Sequence, residues 1–307
     1  MKGKKKLSVS IVVPNWNGRE LLARNLPFVI AASDENEIIV SDDASTDGSV
    51  QFLKKNYPRI RVTESDHQQG FAGNVNRGVA AARGDIVVLL NTDVRPRPGF
   101  LKAMLSDFSD PDVAAVGCLE RSHDKGGIVL RGRGVARWEK GYFIHEKGDV
   151  TKSDTAWVAG GSCAYRRTVW SELGGMDTVY NPFYWEDIDL SYQALKAGYR
   201  LVFEKRSVVD HFHEEGKIKT SYSQRDITRI AYRNQYIFLW KNIADRSLWF
   251  SHMVWTPVRL LQSLLHGDTL MIEGYALAIF QCPAIYSSRM KAAVHWRKND
   301  SDVFPHT

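Results

Sequence analysis

Short apolar runs alternate with longer stretches of helical periodicity over the first 120 residues of the chain. This alternation predicts βαβ units around a mostly parallel sheet. The run Ile86–Leu90 has no polar position, so we expect this strand to be covered on both faces. The predicted strands are 9–13, 37–41, 60–62 and 86–90, and the predicted helices follow Asn17-Gly18 and Asp47-Gly48 and cover 71–83.

Glycine and proline set the predicted ends of several elements. Pro14 is expected to stop the first strand, because proline lacks an amide donor, and Gly84 is expected to cap the helix over 71–83. Residues 121–156 are rich in glycine and charge and are expected to form an irregular excursion with hairpin elements. Such long loops often serve as lids or substrate contacts. A helix is expected again over 188–197.

Beyond residue 225 the pattern changes to aromatic-rich helices. We therefore predict a catalytic domain over 1–224 and a helical C-terminal region over 225–307. Arg225, Arg229 and Arg233 recur every four residues and would form a basic stripe on one helix. This helix either lies on an anionic membrane surface or packs on the catalytic core, and the second reading is slightly favoured.

Composition fits a globular protein, with 44% hydrophobic and 25% charged residues among 307. The net charge of +6 belongs to the ends of the chain, since lysines crowd residues 2–6 and residues 225–307 hold ten Lys or Arg against six Asp or Glu. The Lys-rich head is read as a solvated tail. No recognition motif for nucleic acid accompanies these charges, so we expect no nucleic-acid partner.

The three cysteines lie far apart, which predicts neither a disulfide framework nor a zinc site and favours a reducing, cytoplasmic setting. The N-terminal lysines lack a following apolar segment of a secretory signal. The apolar stretches 249–265 and 270–286 are interrupted by His252, Arg259 and Glu273, so we expect no membrane-spanning helix. Peripheral contact with the inner face of the cell membrane remains open.

Polar segments follow three of the predicted strands: 14–18, 42–47 and Asn91-Thr92-Asp93. In an open α/β sheet, ligands bind beyond the carboxyl ends of the strands, so we expect these segments to converge on one rim. A carboxylate placed there can hold a metal ion, and the later pair Glu186-Asp187 could supply a base. This combination indicates metal-assisted group transfer. Asp47 and Asp189 are read instead as helix caps.

These segments resemble the family 2 glycosyltransferases, which have the GT-A fold. The family's Val-Pro-x-x-Asn-like strand end, Asp-(Asp/Asn)-x-Ser-x-Asp-Gly segment, Asp-x-Asp-like metal motif and Glu-Asp pair correspond to residues 11–17, 42–48, 91–93 and 185–187. Residues 69–78 resemble a Gly-Phe-x-x-x-x-Asn-x-Gly segment of its rhamnosyltransferase-like branch. The resemblance covers residues 8 to 215 or so and fades in the tail.

The resemblance implies a Rossmann-like α/β fold, with a mixed, mostly parallel sheet flanked by helices and a C-terminal helical appendage. It also implies a nucleotide-diphospho-sugar as co-substrate. A carboxylate can accept the imide N–H of uracil or thymine, which favours a UDP or dTDP donor. The residues expected to contact the donor are Pro14, Asn15, Asn17, Asp42, Asp43, Gly73, Asn74, Asn91 and Thr92.

By the same resemblance, Asp93 holds the metal, because the first acidic position of the metal motif is Asn91 here. One carboxylate and the donor diphosphate are compatible with Mg²⁺ or Mn²⁺. His211 is a further metal candidate and His213 the alternate, although a histidine pair is often structural. Asp187 is expected to be the catalytic base, with Glu186 orienting the acceptor or supporting the loop.

The sequence thus predicts an inverting, metal-dependent hexosyl- or deoxyhexosyltransferase. Its acceptor would be a hydroxyl of a cell-surface glycan or a lipid-linked precursor. The alternatives are a catalytically silent sugar-binding or membrane-associated scaffold of the same fold and, less well supported, a sugar-nucleotide pyrophosphorylase. The last class carries a Gly-rich first loop with an arginine, which residues 14–18 do not match.

Overall fold

The computed structural model describes residues 7–304, except for the side chain of Glu214. The Lys-rich head at residues 2–6 lies outside the described residues. The strands are β1 Val9–Asn15, β2 Glu37–Asp42, β3 Arg61–Glu64, β4 Ile86–Leu90, β5 Val94–Pro96, β6 Val113–Asp124, β7 Gly127–Arg131, β8 Gly134–Glu139, β9 Tyr142–Lys147, β10 Ser162–Arg166 and β11 Arg200–His211.

The helices are α1 Arg19–Ala32, α2 Ser49–Asn56, α3 Gly70–Ala81, α4 Phe100–Ser106, α5 Arg167–Glu172, α6 Glu186–Lys196, α7 Lys217–Ser221, α8 Gln224–Asn242, α9 Arg246–Leu265, α10 Thr269–Phe280, α11 Cys282–Ala293 and α12 Asp300–Val303. Short 3-10 turns cover Asp107–Ser109, Thr178–Tyr180 and His213–Glu215. The division at residue 224/225 remains a prediction, although α8 begins at that point.

Nine strands form one sheet in the order β3-β2-β1-β4-β10-β6-β11-β5, with β7 paired to β6. The first four are parallel, β10 is antiparallel to both of its neighbours, and β8 and β9 form a separate hairpin. The predicted mixed sheet flanked by helices is therefore confirmed.

The strand register brings the predicted polar segments to one edge of the sheet. Asn15 pairs with Asp42, and Val12 pairs with Leu89 two residues before Asn91. The predicted convergence is thus confirmed. The expected stop at Pro14 is wrong, because β1 continues to Asn15. Pro14 lies beyond the last pair with β4, so its missing amide breaks no bond on that side.

Gly84 does not cap the third helix. The helix ends at Ala81, followed by Ala82 in an extended conformation. The Gly84 amide donates to Ser10 Oγ at 2.9 Å, and a Cβ at this position would lie 2.5 Å from the Ser10 nitrogen. Glycine is therefore required here by the close approach of two backbones.

The hairpin elements predicted within 121–156 are confirmed, but the segment is more regular than expected. β6 extends to Asp124, β7 turns back along it, and β8 and β9 form a hairpin. Gly127 and Gly141 have φ values of +119° and +79°, so they serve the turns that connect these strands. The glycines lie at turns between short strands, and in the sequence this pattern resembles an irregular loop.

Two apolar clusters cover the two faces of the large sheet: α1, α2 and α4 contribute to one, and α3, α5 and α6 to the other. Every residue of Ile86–Leu90 is buried, as predicted. A third cluster joins the β8–β9 hairpin and α6 to the C-terminal helices α8, α10 and α11. The catalytic half and the C-terminal helices therefore share a core.

Buried charges also connect the two parts. Asp189 was expected to cap α6 but lies inside that helix, 1% exposed, and accepts hydrogen bonds from Lys241 Nζ at 2.6 Å and Asn242 Nδ2 at 2.7 Å. Lys241 also lies 2.7 Å from Asp177. Both carboxylates precede residue 224, and their cation comes from α8.

The arginine stripe of α8 is bound to protein groups. Arg225 and Arg229 form ion pairs with Glu273 of α10, and Arg233 donates to the backbone oxygen of Asn181. Ile230, Ile237 and other apolar residues of the same helix are buried. The prediction that this helix packs on the core is confirmed.

Replacing Lys241 with Met should lower the free energy of unfolding by about 3–5 kcal/mol, since Asp189 and Asp177 would lose a buried cation. Urea denaturation measures this change. Lys102→Met, at an exposed position, is the control and should change stability little. Equal effects of both variants would contradict a structural role for the buried pair.

Candidate active site

A cavity of about 320 Å³ lies at the carboxyl edge of the parallel strands. Ten residues predicted from the sequence line it: Pro14, Asn15, Asp43, Asn74, Asn91, Thr92, Asp93, Asp187, His211 and His213. The other four, Asn17, Asp42, Gly73 and Glu186, do not line it. The structure therefore brings most of the predicted side chains together and places four outside the cavity wall.

Asp42 and Asn17 build the loops that support the cavity. Asp42 accepts hydrogen bonds from Asn15 Nδ2 at 2.7 Å and from the Ser45 amide at 2.9 Å. Asn17 accepts from the Thr46 amide at 2.7 Å. Their polar groups thus tie the loop after β1 to the loop after β2.

Asp43 is the carboxylate of this pair that lines the cavity. It accepts hydrogen bonds from the amides of Gln69 and Gly70, at 2.9 and 3.0 Å, where α3 begins. Burial raises the pKa of Asp43, and these amides partly oppose that rise. Asn74, one turn into α3, donates to the Asn15 carbonyl at 3.1 Å, whereas Gly73 faces Gln69.

Gly161 allows the Asn91 side chain to lie against the backbone. A Cβ on Gly161 would be only 2.4 Å from Asn91 Nδ2, and the Asn91 amide donates to the Gly161 carbonyl at 2.9 Å. Asn91 Oδ1 is buried and has no hydrogen-bond partner among the described residues. An acceptor in the cavity wall is thereby left for a ligand.

Asp187 is held by two backbone amides at the start of α6. Its Oδ2 accepts from Gly160 at 2.9 Å and its Oδ1 from Ile188 at 2.8 Å. Burial raises its pKa despite these bonds. A carboxylate that is fixed in place and has a raised pKa is suited to accept a proton.

The loop before Asp187 has an unusual backbone. Tyr184 and Trp185 have φ values of +72° and +79°, a region that residues with a side chain rarely adopt. Asn234 of α8 supports this loop, because its Nδ2 donates to the carbonyls of Tyr180, Phe183 and Tyr184 at 2.8, 2.9 and 2.8 Å. Trp185 packs on Phe238 of the same helix, with ring centroids 5.2 Å apart.

Glu186 lies behind Asp187 and is 4% exposed. Its Oε2 has no hydrogen-bond partner within the described range. Burial, followed by the nearby charge of Asp187, raises the pKa of Glu186 to about 8. Glu186 is therefore a protonated, neutral group at pH 7.

Four residues cluster on the other wall of the cavity. His211 Nε2 lies 3.4 Å from Asp93 Oδ1, and His211 Nδ1 lies 3.4 Å from Glu120 Oε1. The rings of His211 and His213 stack with centroids 3.6 Å apart, as expected for residues on one face of an extended segment. Ligand atoms of Glu120, His211 and His213 lie within 4.8 Å of one another.

The charges in this cluster are strongly coupled. Burial opposes ionisation of Glu120, but His211 and the hydroxyl of Ser162 outweigh it and hold the pKa of Glu120 at about 2. Burial likewise opposes the charge on His211, but Glu120 and Asp93 raise its pKa to about 10. Burial and the His211 charge lower the pKa of His213. Two carboxylates thus surround one imidazolium, an environment that attracts cations.

Glu120 was missed by the sequence interpretation. It follows the apolar run 113–119, so the rule that identified Asp93, a carboxylate after a buried strand, also points to Glu120. The glycine-rich stretch that follows obscured this strand. Ser162, which donates to Glu120, lies directly after the Gly160-Gly161 pair.

The geometry matches the expected site, and sequence comparison decides the family. The profile of Glycosyl transferase family 2 matches residues 10–174, more than half of the chain. The chain belongs to glycosyl transferase family 2. The resemblance drawn from the strand-end motifs is confirmed.

Two relatives come from Mycobacterium tuberculosis. A pre-mycofactocin glycosyltransferase is 29% identical over 210 residues, covering 67% of this chain and 43% of that protein. An N-acetylglucosaminyl-diphospho-decaprenol L-rhamnosyltransferase is 27% identical over 270 residues, covering 77% of this chain and 83% of that protein. The chain therefore spans less than half of the first relative and most of the second, whose name agrees with the rhamnosyltransferase-like resemblance.

The fold is also shared with solved structures. The crystal structure of GalNAc-T7 with UDP, GalNAc and Mn²⁺ superposes with a TM-score of 0.62 at 18% identity, covering 77% of this chain and 48% of that one. At this identity the likeness concerns the fold alone. The predicted GT-A fold with a helical C-terminal region is confirmed.

Glu186→Gln should flatten the dependence of stability on pH. The folded pKa of about 8 exceeds the ordinary value of about 4.3, so the stability that Glu186 contributes is full below about pH 4.3 and is lost as the pH rises through 8. Between these limits the free energy of unfolding of wild type should fall more steeply with pH than that of Glu186→Gln. The difference between the two slopes should be at most about 1.4 kcal/mol per pH unit.

Urea denaturation at pH 5 and pH 8 tests this prediction, and Glu20→Gln, at an exposed position, is the control. Parallel pH profiles for wild type and Glu186→Gln would show that Glu186 ionises normally.

Proposed function

We propose that this protein is an inverting, metal-dependent glycosyltransferase that moves a hexose or deoxyhexose from a UDP- or dTDP-sugar to a hydroxyl group. One observation supports this most directly: Asp187, fixed by two amides, lines the same cavity as the Asp93–His211 cluster. A base and a cation-attracting group thereby contact one volume. Transfer between a leaving diphosphate and an acceptor hydroxyl needs both.

The donor would occupy the side of the cavity formed by β1, α3 and β4. Asp43 is the carboxylate placed to accept a nucleobase N–H, and Asp42 would act by holding Asn15. The buried Asn91 Oδ1 can accept a hydrogen bond from a ribose or sugar hydroxyl. UDP in GalNAc-T7 agrees with this class of donor.

The residues present fit a divalent cation. Asp93, His211 and His213 would hold it once His211 has lost one of its two ring protons, and Glu120 would orient His211 through the imidazole nitrogen that faces away from Asp93. A donor set of carboxylate oxygen and imidazole nitrogen suits Mn²⁺ better than Mg²⁺, which prefers oxygen ligands. Such an ion would supply positive charge for the departing diphosphate.

In the reaction, the acceptor oxygen attacks the anomeric carbon from the face opposite the diphosphate. The bond from that carbon to the diphosphate oxygen breaks, and Asp187 takes the proton of the acceptor hydroxyl. Burial and the nearby charge of Asp187 favour the neutral form of Glu186, so Asp187, which lines the cavity, is the carboxylate of the pair placed to accept this proton. The configuration at the anomeric carbon is inverted.

We further propose that the acceptor is a glycan or lipid-linked precursor of the cell surface, and that the protein works in the cytoplasm at the inner face of the membrane. The relative named for a decaprenol-linked acceptor supports this class. No helix among residues 7–304 is both long and apolar enough to cross a bilayer. The catalytically silent scaffold is less well supported, because Asp93, Asp187 and both histidines all line the cavity.

Asp187→Asn should lower the transfer rate by about 10²- to 10⁴-fold, since a positioned base is lost while its shape is kept. Binding of UDP should change little. The measurement combines transfer or donor hydrolysis with nucleotide titration, and exposed Asp34→Asn is the control. Full activity of Asp187→Asn would remove the assignment of the base. A wild-type protein that binds UDP-sugars but never cleaves them would favour the scaffold.

Asp93→Ala should abolish the metal-dependent part of nucleotide affinity, and Glu120→Gln should weaken Mn²⁺ binding by about 10- to 100-fold. Calorimetric titration of UDP with Mn²⁺ and with chelator measures both effects. If UDP binds wild type equally well under the two conditions, the metal site is wrong.

A further inference from the structure

Helix α9 has its polar side inward and its apolar side outward. Its buried residues are His252, Thr256 and Ser263. His252 Nδ1 donates to the Gly141 carbonyl and its Nε2 accepts from Trp240 Nε1, so the inward face is bonded to the rest of the protein. The exposed residues recur at helical spacing: Phe250, Met253, Val254, Val258, Leu261, Leu264 and Leu265. A helix on the surface of a globular protein normally has its apolar side inward and its polar side outward.

The next two helices extend this outward apolar surface. Phe280, at the end of α10, is 83% exposed, and Tyr286, Met290 and Val294 recur every four residues along and just beyond α11. A groove of about 620 Å³ joins the three helices, because Met253, Ile279 and Tyr286 all line it. Exposed apolar side chains of α9, α10 and α11 thus meet at this groove, and we call the exposed apolar side chains of the three helices the outer apolar face. Contiguous patches of this kind mark interaction sites.

The segment that carries the outer apolar face has more cations than acids. Residues 246–298 contain six Lys or Arg and two acids. Both acids are engaged, Asp268 with Tyr232 and Glu273 with Arg225. Arg246, Lys291 and Lys298 are exposed. The region therefore offers apolar side chains and unbalanced positive charge together.

We propose that the outer apolar face docks on the surface of an anionic phospholipid bilayer, with α9 lying in the interfacial plane. This docking would give a structural basis for the peripheral membrane location proposed above. Its relevance to a lipid-linked acceptor rests on the proposed function. Interfacial helices bury an apolar side at the boundary of headgroups and acyl chains, and nearby cations add attraction to anionic lipid.

Lipid fits this face better than a second copy of the chain does. In a symmetric dimer the same patch meets itself, so the net positive charge of residues 246–298 would meet the same net positive charge. Anionic headgroups balance that charge. The arginines of α8, which the sequence singled out for membrane contact, are not part of the surface, because Arg225 and Arg233 bind protein groups.

Flotation with lipid vesicles tests the proposal on the full chain. Wild type should float with vesicles of phosphatidylcholine and phosphatidylglycerol at about 3:1 and much less with phosphatidylcholine alone. The combined variant Phe250→Ser, Leu264→Gln, Leu265→Gln and Phe280→Gln should reduce binding by about tenfold or more. The four positions are 59–83% exposed, so the fold should tolerate these changes.

The matched control is Ile128→Gln with Leu130→Gln, which removes two apolar side chains that are 48% and 47% exposed on β7. It should bind vesicles as wild type does. A second variant, Arg246→Gln, Lys291→Gln and Lys298→Gln, should lose the preference for phosphatidylglycerol and the sensitivity to salt.

Equal flotation of wild type and the four-residue variant would overturn the proposal. So would a wild type that does not float and sediments as a dimer, with the variant monomeric, because the occupant would then be a second copy. Hydrolysis of a soluble donor is measured in parallel. If neither wild type nor the variants hydrolyse the donor, the proposed reaction is refuted. If wild type hydrolyses the donor but does not float with vesicles, only the proposed membrane docking is refuted.

Discussion

The parallel register of β1, β2 and β4 is the constraint on which the site depends. It sets Asn15 beside Asp42 and brings Asn91 to the same edge, so that three loops far apart in the chain share one cavity. Because the side-chain period of a strand is two, a slip of one residue would turn Asn15 and Asp42 to the opposite face.

Four carboxylates border the cavity, and they meet the cost of burial in two ways. Asp43 accepts from two amides at the start of α3, and Asp187 accepts from the amide of Gly160 and from that of Ile188 in the first turn of α6. Glu120 and Asp93 share the charge of His211. The amide-bound pair has raised pKa values, whereas Glu120, beside a cation, has a low one. The cavity therefore has a wall that accepts protons and a wall that attracts cations.

Sequence patterns predicted the parallel half of the sheet and most of the cavity, because both follow from local signals: apolar runs followed by polar residues. They failed where long-range contact decides. Gly84 is explained by Ser10, Asp189 by Lys241, and Glu120 by two histidines 91 and 93 residues away, and no local pattern contains these partners. Hairpin elements were expected in 121–156, but the bounds of the strands were not, because glycines at their turns resemble a loop. The outward apolar side of α9 was also hidden, since periodicity alone does not tell which side of a helix is buried.

The support of the Tyr184–Trp185 loop by Asn234 and Phe238 has a consequence for how this protein can change in evolution. The backbone that presents the predicted base adopts its rare conformation against α8, so α8 supports this loop although it lies beyond the segment matched by the family profile. An exchange of C-terminal helices between homologues would preserve the reaction only if the incoming helix carried an amide and an aromatic ring at these two positions. The outer side of the tail can change without disturbing this loop, whereas substitutions on its inner side would alter the support of the predicted base.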